Sequence, residues 1–215
     1  MTTPTPTTLN PDEVQVGTAN GPGLYIAPVG TAPPATAAAV WADPWAILGY
    51  VDESGPTLAQ NTTKEDITPW QSRAPIRAVL TERGLTARFI MWQLNAVTLA
   101  LFFDNDVPDA GTDGSLAFDV RTDESQHLYA FGLDASDNDR ALRIIFPRAT
   151  LSDSGDMTLT KGTAVPLDVT LAALEDNGVL AHVMLGPATG TLTARAADLS
   201  SGARAARQRE TAGVS

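Results

Sequence analysis

Cysteine is absent from the 215 residues of this sequence. Its absence excludes disulfide frameworks, zinc–thiolate centres and cysteine nucleophiles. Histidine is almost as scarce, because His127 and His182 are the only two. They lie in separate strand-like runs without the spacing of a metal-binding motif. We therefore interpret both as core or surface residues and expect neither a metal site nor a cofactor.

Positive charge is scarce as well. The chain carries 14 Lys and Arg against 25 Asp and Glu, a formal net charge of −11. Proteins that clamp phosphates use clustered cations, so this balance argues against a nucleic-acid-binding face and favours repulsion from DNA. No apolar run approaches the roughly 20 residues that span a bilayer, and residues 1–20 lack the basic and apolar regions of a secretory signal. We expect a protein that folds in a cytoplasm without inserting into a membrane.

The signatures of common catalytic sites are also missing, so we expect no enzyme. The sequence has neither a G-x-S-x-G elbow nor a Walker loop. Gly21 and Gly23 begin like a dinucleotide-binding motif, but Ile26 stands where the third glycine belongs. One alternative stays open, a carbohydrate-binding or hydrolysing β-sandwich in which Glu82 and Glu124 supply the two carboxyl groups.

The four tryptophans bear on that alternative, because their rings can stack on sugars. We expect instead that Trp45 and Trp92 lie in the core and that Trp70 anchors a loop.

Residues 104–113 concentrate carboxylates near glycine, a composition that can hold calcium. However, Pro108 and Asp109 break the register of an EF-hand loop, and Asp, Asn, Pro and Gly are ordinary loop formers. An acidic loop is the preferred interpretation, and a cation site is the alternative.

The chain divides into a patterned body and two polar arms. Residues 1–22 are rich in Thr, Pro, Gly and Asn, and residues 186–215 are rich in Ala and Arg. Such segments bury too little apolar area to offset the entropy lost on ordering. We predict an N-terminal arm (1–22), one β domain (23–185) that contains a long loop at 52–75, and a C-terminal arm (186–215).

The body reads as a series of short strands separated by Gly, Asp and Asn, which is typical of a sandwich or barrel. Gly84 stands between two of these runs and predicts a tight hairpin turn. Pro147 cannot donate to a ladder and predicts an edge or a bulge. The alternation in residues 165–172 predicts one core face and one polar face. The predicted strands are residues 24–29, 45–51, 74–83, 85–93, 116–122, 127–133, 140–151, 165–174 and 179–185.

One segment has a different period. Asn95 is a good N-cap residue, and the apolar residues Leu94, Val97 and Leu101 around it have helical spacing. We predict one short helix over residues 95–103 that packs on a sheet, with a strand as the alternative. The predicted fold class is mainly β, an antiparallel β-sandwich or barrel with one short flanking α-helix and extended N- and C-terminal arms.

Taken in order, these motifs resemble a known family. Residues 45–57 (WAILGYVDESGPT) resemble the L-G-Y-x-x-x-x-G element of major tail proteins, or tail tube proteins, from siphophages of the actinobacteriophage type. The likeness covers about residues 24–185. Residues 70–79 and 81–89 resemble the central hairpin of that family, 94–99 its helix, and 146–151, Gly162 and 166–174 its closing strands.

The resemblance implies a structural virion protein with a tail tube fold. Six copies would form a ring, and stacked rings would form a tube that passes DNA from the capsid into the host. The implied partners are other copies of the chain, the tape measure protein and DNA in the channel, and the tail terminator and distal tail proteins. Its implied place is the tail of the virion, assembled in the host cytoplasm. A tail terminator or a decoration protein is the alternative within the virion.

Polymerisation also agrees with the residues themselves, because sheet edges invite pairing and a closed ring removes lateral edges. The two arms and the 52–75 loop are the segments that we expect to link neighbouring copies. The candidate inter-subunit residues are Asp52, Glu53, Lys64, Glu65, Asp66, Trp70, Arg73, Arg204, Arg207 and Arg209.

Charge is unevenly distributed along the chain. Residues 1–185 hold 10 Lys and Arg against 23 Asp and Glu, a net charge of −13, whereas residues 186–215 hold four Arg against Asp198 and Glu210, a net charge of +2. We hypothesise that body carboxylates face a channel and keep DNA from sticking. An acidic outer surface that serves solubility is the alternative. We also expect the C-terminal arm to dock on an acidic neighbour.

Overall fold

The computed structural model of the chain describes residues 23–109, 111, 113–122, 126–137 and 140–187. The mainly β composition with a short helix confirms the predicted fold class. In chain order the elements are β1 (Gly23–Pro28), β2 (Ala46–Ile47), β3 (Thr57–Ile67), β4 (Arg77–Met91), α1 (Ala96–Phe102), β5 (Leu128–Asp137), β6 (Arg140–Ser154), β7 (Leu167–Ala173) and β8 (His182–Pro187).

The strands form one antiparallel sheet in the order β2-β1-β5-β6-β7-β4-β3, with β8 attached to β6. Strand β6 organises this sheet because it pairs with β5 along one edge and shares its other edge between two strands. Its first residues, 140–145, pair with β8, and residues 149–154 pair with β7. Pro147 lies between these two ladders, where two residues of β6 face one residue of β5. The predicted bulge is therefore confirmed, and the missing N–H of proline costs no ladder bond.

The core joins side chains from β1, β4, α1, β5, β6 and β7. Phe89 and Phe131 stack with their ring centroids 5.3 Å apart, and Phe146 packs against Phe131. Strand β7 alternates between buried and half-buried residues, as predicted from its sequence. Burying one large apolar side chain contributes about 1.5–3 kcal/mol to the free energy of unfolding. These three rings therefore help to hold β4, β5 and β6 together.

Helix α1 begins at its predicted N-cap. The side chain of Asn95 accepts a hydrogen bond from the Thr98 backbone N–H at 2.9 Å, and the Thr98 hydroxyl accepts one from the Asn95 backbone N–H at 3.0 Å. This reciprocal capping box satisfies two donors that the first turn would leave free. Leu101 and Phe102 are buried, so the helix packs its apolar face on the sheet, as predicted.

The long loop between β1 and β2 is fastened to the sheet by a buried cation. The Arg143 guanidinium donates to both carboxylate oxygens of Asp134 at 2.7 and 2.8 Å and lies 4.3 Å from the centre of the Trp41 ring. Trp41 also stacks on Tyr25. A Cβ atom on Gly132 would come within 2.2 Å of the Trp41 ring, so the close approach of the ring requires glycine at that position.

The predicted turn at Gly84 is wrong. Gly84 lies inside β4 and pairs with Asn61 of β3, and the chain reverses instead between Ile67 and Arg77. The long loop predicted at residues 52–75 is accordingly corrected to a turn, the eleven-residue strand β3 and the reversal that follows it. All residues of β3 are exposed, so the strand lacks the alternation of apolar and polar residues that identifies a half-buried strand.

Four further predictions differ from the structure. Residues 116–122 contain no strand. Trp92 is 41% exposed and Trp70 is 99% exposed, so neither the core position of the first nor the anchoring role of the second holds, whereas Trp45 is buried as expected. Strand β2 is limited to two residues of the predicted 45–51 run. Residues 1–22, residues 188–215 and Glu124 lie outside the described residues, whereas Gly186 and Pro187 of the predicted C-terminal arm belong to β8.

Candidate assembly surface

Strands β3 and β4 form a hairpin that extends beyond the rest of the sheet. Of the residues of β4, only 86–91 pair with β7. Residues 77–85 of β4 therefore pair with β3 alone. Within the described part of the chain, no strand covers the second edge of β3. We call residues 57–85 the projecting hairpin. Its two-stranded part has no core of its own, and such ribbons are only marginally stable in water.

The tip of the projecting hairpin is apolar and ordered by turn bonds. The Ile76 backbone N–H donates to the Ile67 carbonyl at 2.9 Å, and the Ser72 N–H donates to the Pro69 carbonyl at 3.2 Å. Trp70 stands in this turn with its ring fully in solvent, and Ile76 and Leu80 are also exposed. Clustered exposed apolar side chains mark interaction sites on soluble proteins.

The hairpin differs in charge from the rest of the body. Residues 57–85 carry four Lys and Arg against three Asp and Glu, a net charge of +1. The remaining residues between 23 and 187 carry six Lys and Arg against eighteen Asp and Glu, a net charge of −12. A basic projection on an acidic body is electrostatically complementary to the body of another copy.

Of the ten predicted inter-subunit residues, the structure describes seven, and five of these lie on the projecting hairpin. Lys64, Glu65 and Asp66 are consecutive exposed residues of β3, and Trp70 and Arg73 lie at the tip. Arg204, Arg207 and Arg209 lie outside the described residues.

Asp52 and Glu53 lie instead in the turn that leads into the hairpin. The Asp52 carboxylate accepts hydrogen bonds from the Ser54 hydroxyl at 2.6 Å and from its backbone N–H at 2.9 Å. The hydroxyl bond, and after it the backbone bond, lowers the pKa of Asp52 below its usual value. Its Oδ1 atom accepts both bonds and therefore shapes this turn.

Strand β8 offers a second edge that sequence reasoning missed. It pairs only with β6 in the part of the chain that is described, and Val183 and Leu185 on one of its faces are 65% and 56% exposed. The run 179–185 predicted a strand but gave no sign of this exposure. The one sequence feature that could have indicated an open edge is the position of this run as the last predicted strand of the body, next to the C-terminal arm.

A pocket of about 290 Å³ lies between β1, α1 and β5. Its walls are largely apolar, with Ile26, Val97, Leu101 and Leu128 among the lining residues, and Asp106 lies at its rim. The Asp106 side chain is 90% exposed.

His127 and Tyr129 line the same pocket beside two carboxylates. The His127 Nε2 atom is 3.4 Å from Asp106 Oδ1, and its buried Nδ1 atom is 3.5 Å from Asp104 Oδ1 without forming a hydrogen bond. Burial, with the nearby Asp104 carboxylate as a second cause, raises the pKa of Tyr129 above the usual range for a phenol.

The described residues contain no cluster of three or more His, Cys, Asp or Glu side chains placed to hold a metal ion. In the 104–113 segment, Asp104 and Asp106 face His127, and Asp113 accepts hydrogen bonds from Ser115. Among the helices that are described, none is long and apolar enough to cross a bilayer.

Comparison with known proteins identifies the family. No curated protein matches the chain. The family model for phage tail tube proteins matches residues 7–192, which extends into both segments that we interpreted as arms. This match covers the projecting hairpin, the helix and every strand of the sheet, and it confirms the resemblance to tail tube proteins. The chain belongs to the phage tail tube protein family.

Proposed function

We propose that this chain polymerises as stacked hexameric rings into the tube of a phage tail, and that the channel of the tube carries DNA into the host. Membership of the family supports a structural role in the tail. The observation that carries the polymerisation is the projecting hairpin, whose strand edge, apolar tip and exposed faces have no packing partner among the described residues of the same copy. In this role the chain has no catalytic site.

The physical reason for polymerisation is the satisfaction of open edges. The outer edges of β3 and β8 present backbone donors and acceptors that another chain can pair with. A head-to-tail contact between different surfaces closes into a ring when the rotation allows it. A closed ring removes the lateral edges, as closure does in a barrel.

Two finer parts of the proposal concern charge. We infer that carboxylates of the acidic body face the channel and repel DNA, so that the genome slides without sticking. A cryo-EM map with a neutral or basic lumen would contradict this inference. We also infer that Arg204, Arg207 and Arg209 dock the C-terminal arm on an acidic neighbour. Deleting residues 190–215 tests this second inference, and unchanged tube assembly would show that it is wrong.

The tail setting supplies the other partners. A tube of these rings would surround the tape measure protein, end at a tail terminator and begin at distal tail proteins, with assembly in the host cytoplasm.

Electron microscopy of the purified full-length chain tests the proposal. We expect hollow tubes in negative stain and six-fold rings in averaged end views. A chain that stays monomeric across protein concentrations and salt conditions would contradict polymerisation. Isolated rings that never stack would indicate a tail terminator instead.

A further inference from the structure

We propose that the side chain of Trp70 at the hairpin tip of one copy inserts into the apolar pocket between β1, α1 and β5 of another copy, and that Arg73 pairs with Asp106 at the rim of that pocket. This inference rests on the proposed polymerisation and names the contact that would link successive copies.

The donor side of this contact is a large side chain without a place in its own copy. Trp70 is 99% exposed, although burying an aromatic ring removes about 150–250 Å² of surface from water. The turn bond from the Ile76 N–H to the Ile67 carbonyl closes the base of the tip, which lowers the conformational entropy lost on docking. Trp and Arg are also the side chains that most often dominate interface energies.

The acceptor side is a pocket of matching size and polarity. Its volume of about 290 Å³ is just below the range of about 300–1,000 Å³ that holds drug-sized ligands, so it suits a single large side chain. Val97, Leu101 and Leu128 are among the apolar residues that line it.

Charge favours this pocket over the pocket beside β8. The tip carries Arg73 and Arg77 with no acidic residue between positions 67 and 81, and the rim carries the exposed carboxylate of Asp106 with Asp104 behind it. A second pocket, beside β8, is lined by Arg83, which would repel a basic tip. The complementary pair favours the pocket at α1.

The contact is heterologous, because the tip and the pocket are different surfaces of one chain. Each docking event therefore leaves one free tip and one free pocket at the ends of the assembly. Such a contact propagates along an axis when its rotation does not close into a ring, and the stacking of rings into a tube requires a contact of that kind.

Substitutions at the two surfaces test the contact. We expect Trp70→Ala and Asp106→Arg each to reduce the mass of sedimentable tubes at least tenfold, and the double variant Arg73→Asp with Asp106→Arg to recover much of that mass. Leu159→Ala is the matched control, because Leu159 is an exposed apolar residue that belongs neither to the projecting hairpin nor to the lining of the pocket. Circular dichroism should show unchanged folding in all variants.

Cysteine cross-linking gives an independent measurement, since the natural chain has no thiol. We expect a Gln71→Cys copy mixed with a Val107→Cys copy to form a disulfide-linked dimer on oxidation, because both residues flank the proposed contact. A Leu159→Cys partner should give none.

The outcomes separate this inference from the polymerisation itself. Normal tubes from Trp70→Ala, or cross-links no stronger than the Leu159→Cys control, would overturn the docking contact and leave polymerisation standing. Failure of the natural chain to form tubes would overturn both.

Discussion

At the scale of the residue, Arg143 is the side chain on which most of the β1–β2 loop depends. Its guanidinium is 3% exposed, and it donates to the carbonyl oxygens of Thr36 and Ala39 at 2.8 Å as well as to Asp134. A planar fork with several fixed donors can satisfy all three partners at once, whereas a lysine cannot. The buried charge is therefore tolerated because every partner is in place.

We expect Arg143→Ala to lower the free energy of unfolding by about 3–5 kcal/mol, since removing one member of a buried ion pair leaves the other uncompensated. Arg148→Ala on the same strand is the matched control, because Arg148 is exposed and such substitutions change stability by about 0.5 kcal/mol or less. Urea unfolding of the unassembled protein, followed by tryptophan fluorescence, measures both. Equal losses for the two variants would show that the cluster does not fasten the loop.

The raised pKa of Tyr129 predicts that the folded protein loses stability in alkali. Burial, followed by the Asp104 carboxylate, raises the pKa of Tyr129 in the folded protein above the usual value of 10.0. The unfolded chain therefore releases the phenolic proton first as the pH rises. This term does not change stability below about pH 9, and it reduces stability progressively above the unfolded pKa.

Thermal melts between pH 9 and 11 check this expectation. Tyr129→Phe should flatten the fall of the melting temperature, because the substituted ring has no proton to release. Tyr50→Phe, at an exposed position, should leave the fall as it is in the natural chain. A Tyr129→Phe profile that is equally steep would contradict the assignment.

At the scale of the element, local sequence signals predicted the parts whose causes are local. Asn95 and the helical spacing of the apolar residues near it predicted helix α1, and Pro147 predicted the bulge in β6. The alternation of apolar and polar residues in β7 predicted which face packs on the core, because a strand with one buried face has apolar residues at every second position.

The sequence could not predict the elements whose partners lie elsewhere. Strand β3 is exposed throughout, so its sequence lacks the alternation of apolar and polar residues that would have predicted a strand. It was therefore predicted as a loop. Gly84 reads as a turn, although in β4 its backbone is extended and paired. Trp70 was predicted as an interface residue and also as a loop anchor, and only the fold separates these roles by placing the ring in solvent. The pocket at α1 depends on three distant segments meeting, which no local pattern records.

Shortening the projecting hairpin should abolish assembly without unfolding the body. Gln60 and Leu85 face each other across the ladder, so an Asn-Gly turn can join them in place of residues 61–84. We expect the free energy of unfolding to change by less than about 1 kcal/mol, because most of the removed residues contact only one another, and we expect no tubes in negative stain. Tubes formed by this variant would show that the hairpin is dispensable.

At the scale of the whole molecule, the net charge of −11 would oppose the proposed assembly, whereas the proposed docking contact would favour it. The two effects act over different distances. Repulsion between acidic bodies is long-range, and the Debye length falls from about 30 Å at 0.01 M salt to about 8 Å at 0.15 M. A contact pair that loses its water is screened much less.

We therefore expect a rise in sodium chloride from 10 to about 150 mM to lower the protein concentration at which tubes first appear. Sedimentation at a series of protein concentrations measures this threshold. The opposite trend, a threshold that rises steadily with salt, would mean that attraction between the basic hairpin and the acidic body outweighs the repulsion.

The thinness of the hairpin has a mechanical consequence for the polymer. If successive rings are joined through ribbons of two strands, while each body consists of the remaining strands of the sheet on a shared core, the joints are the compliant parts of the structure. Bending would then concentrate at the boundaries between rings and leave the bodies undistorted. A long tail built in this way would curve as a chain of stiff segments and keep an open bore as it flexes.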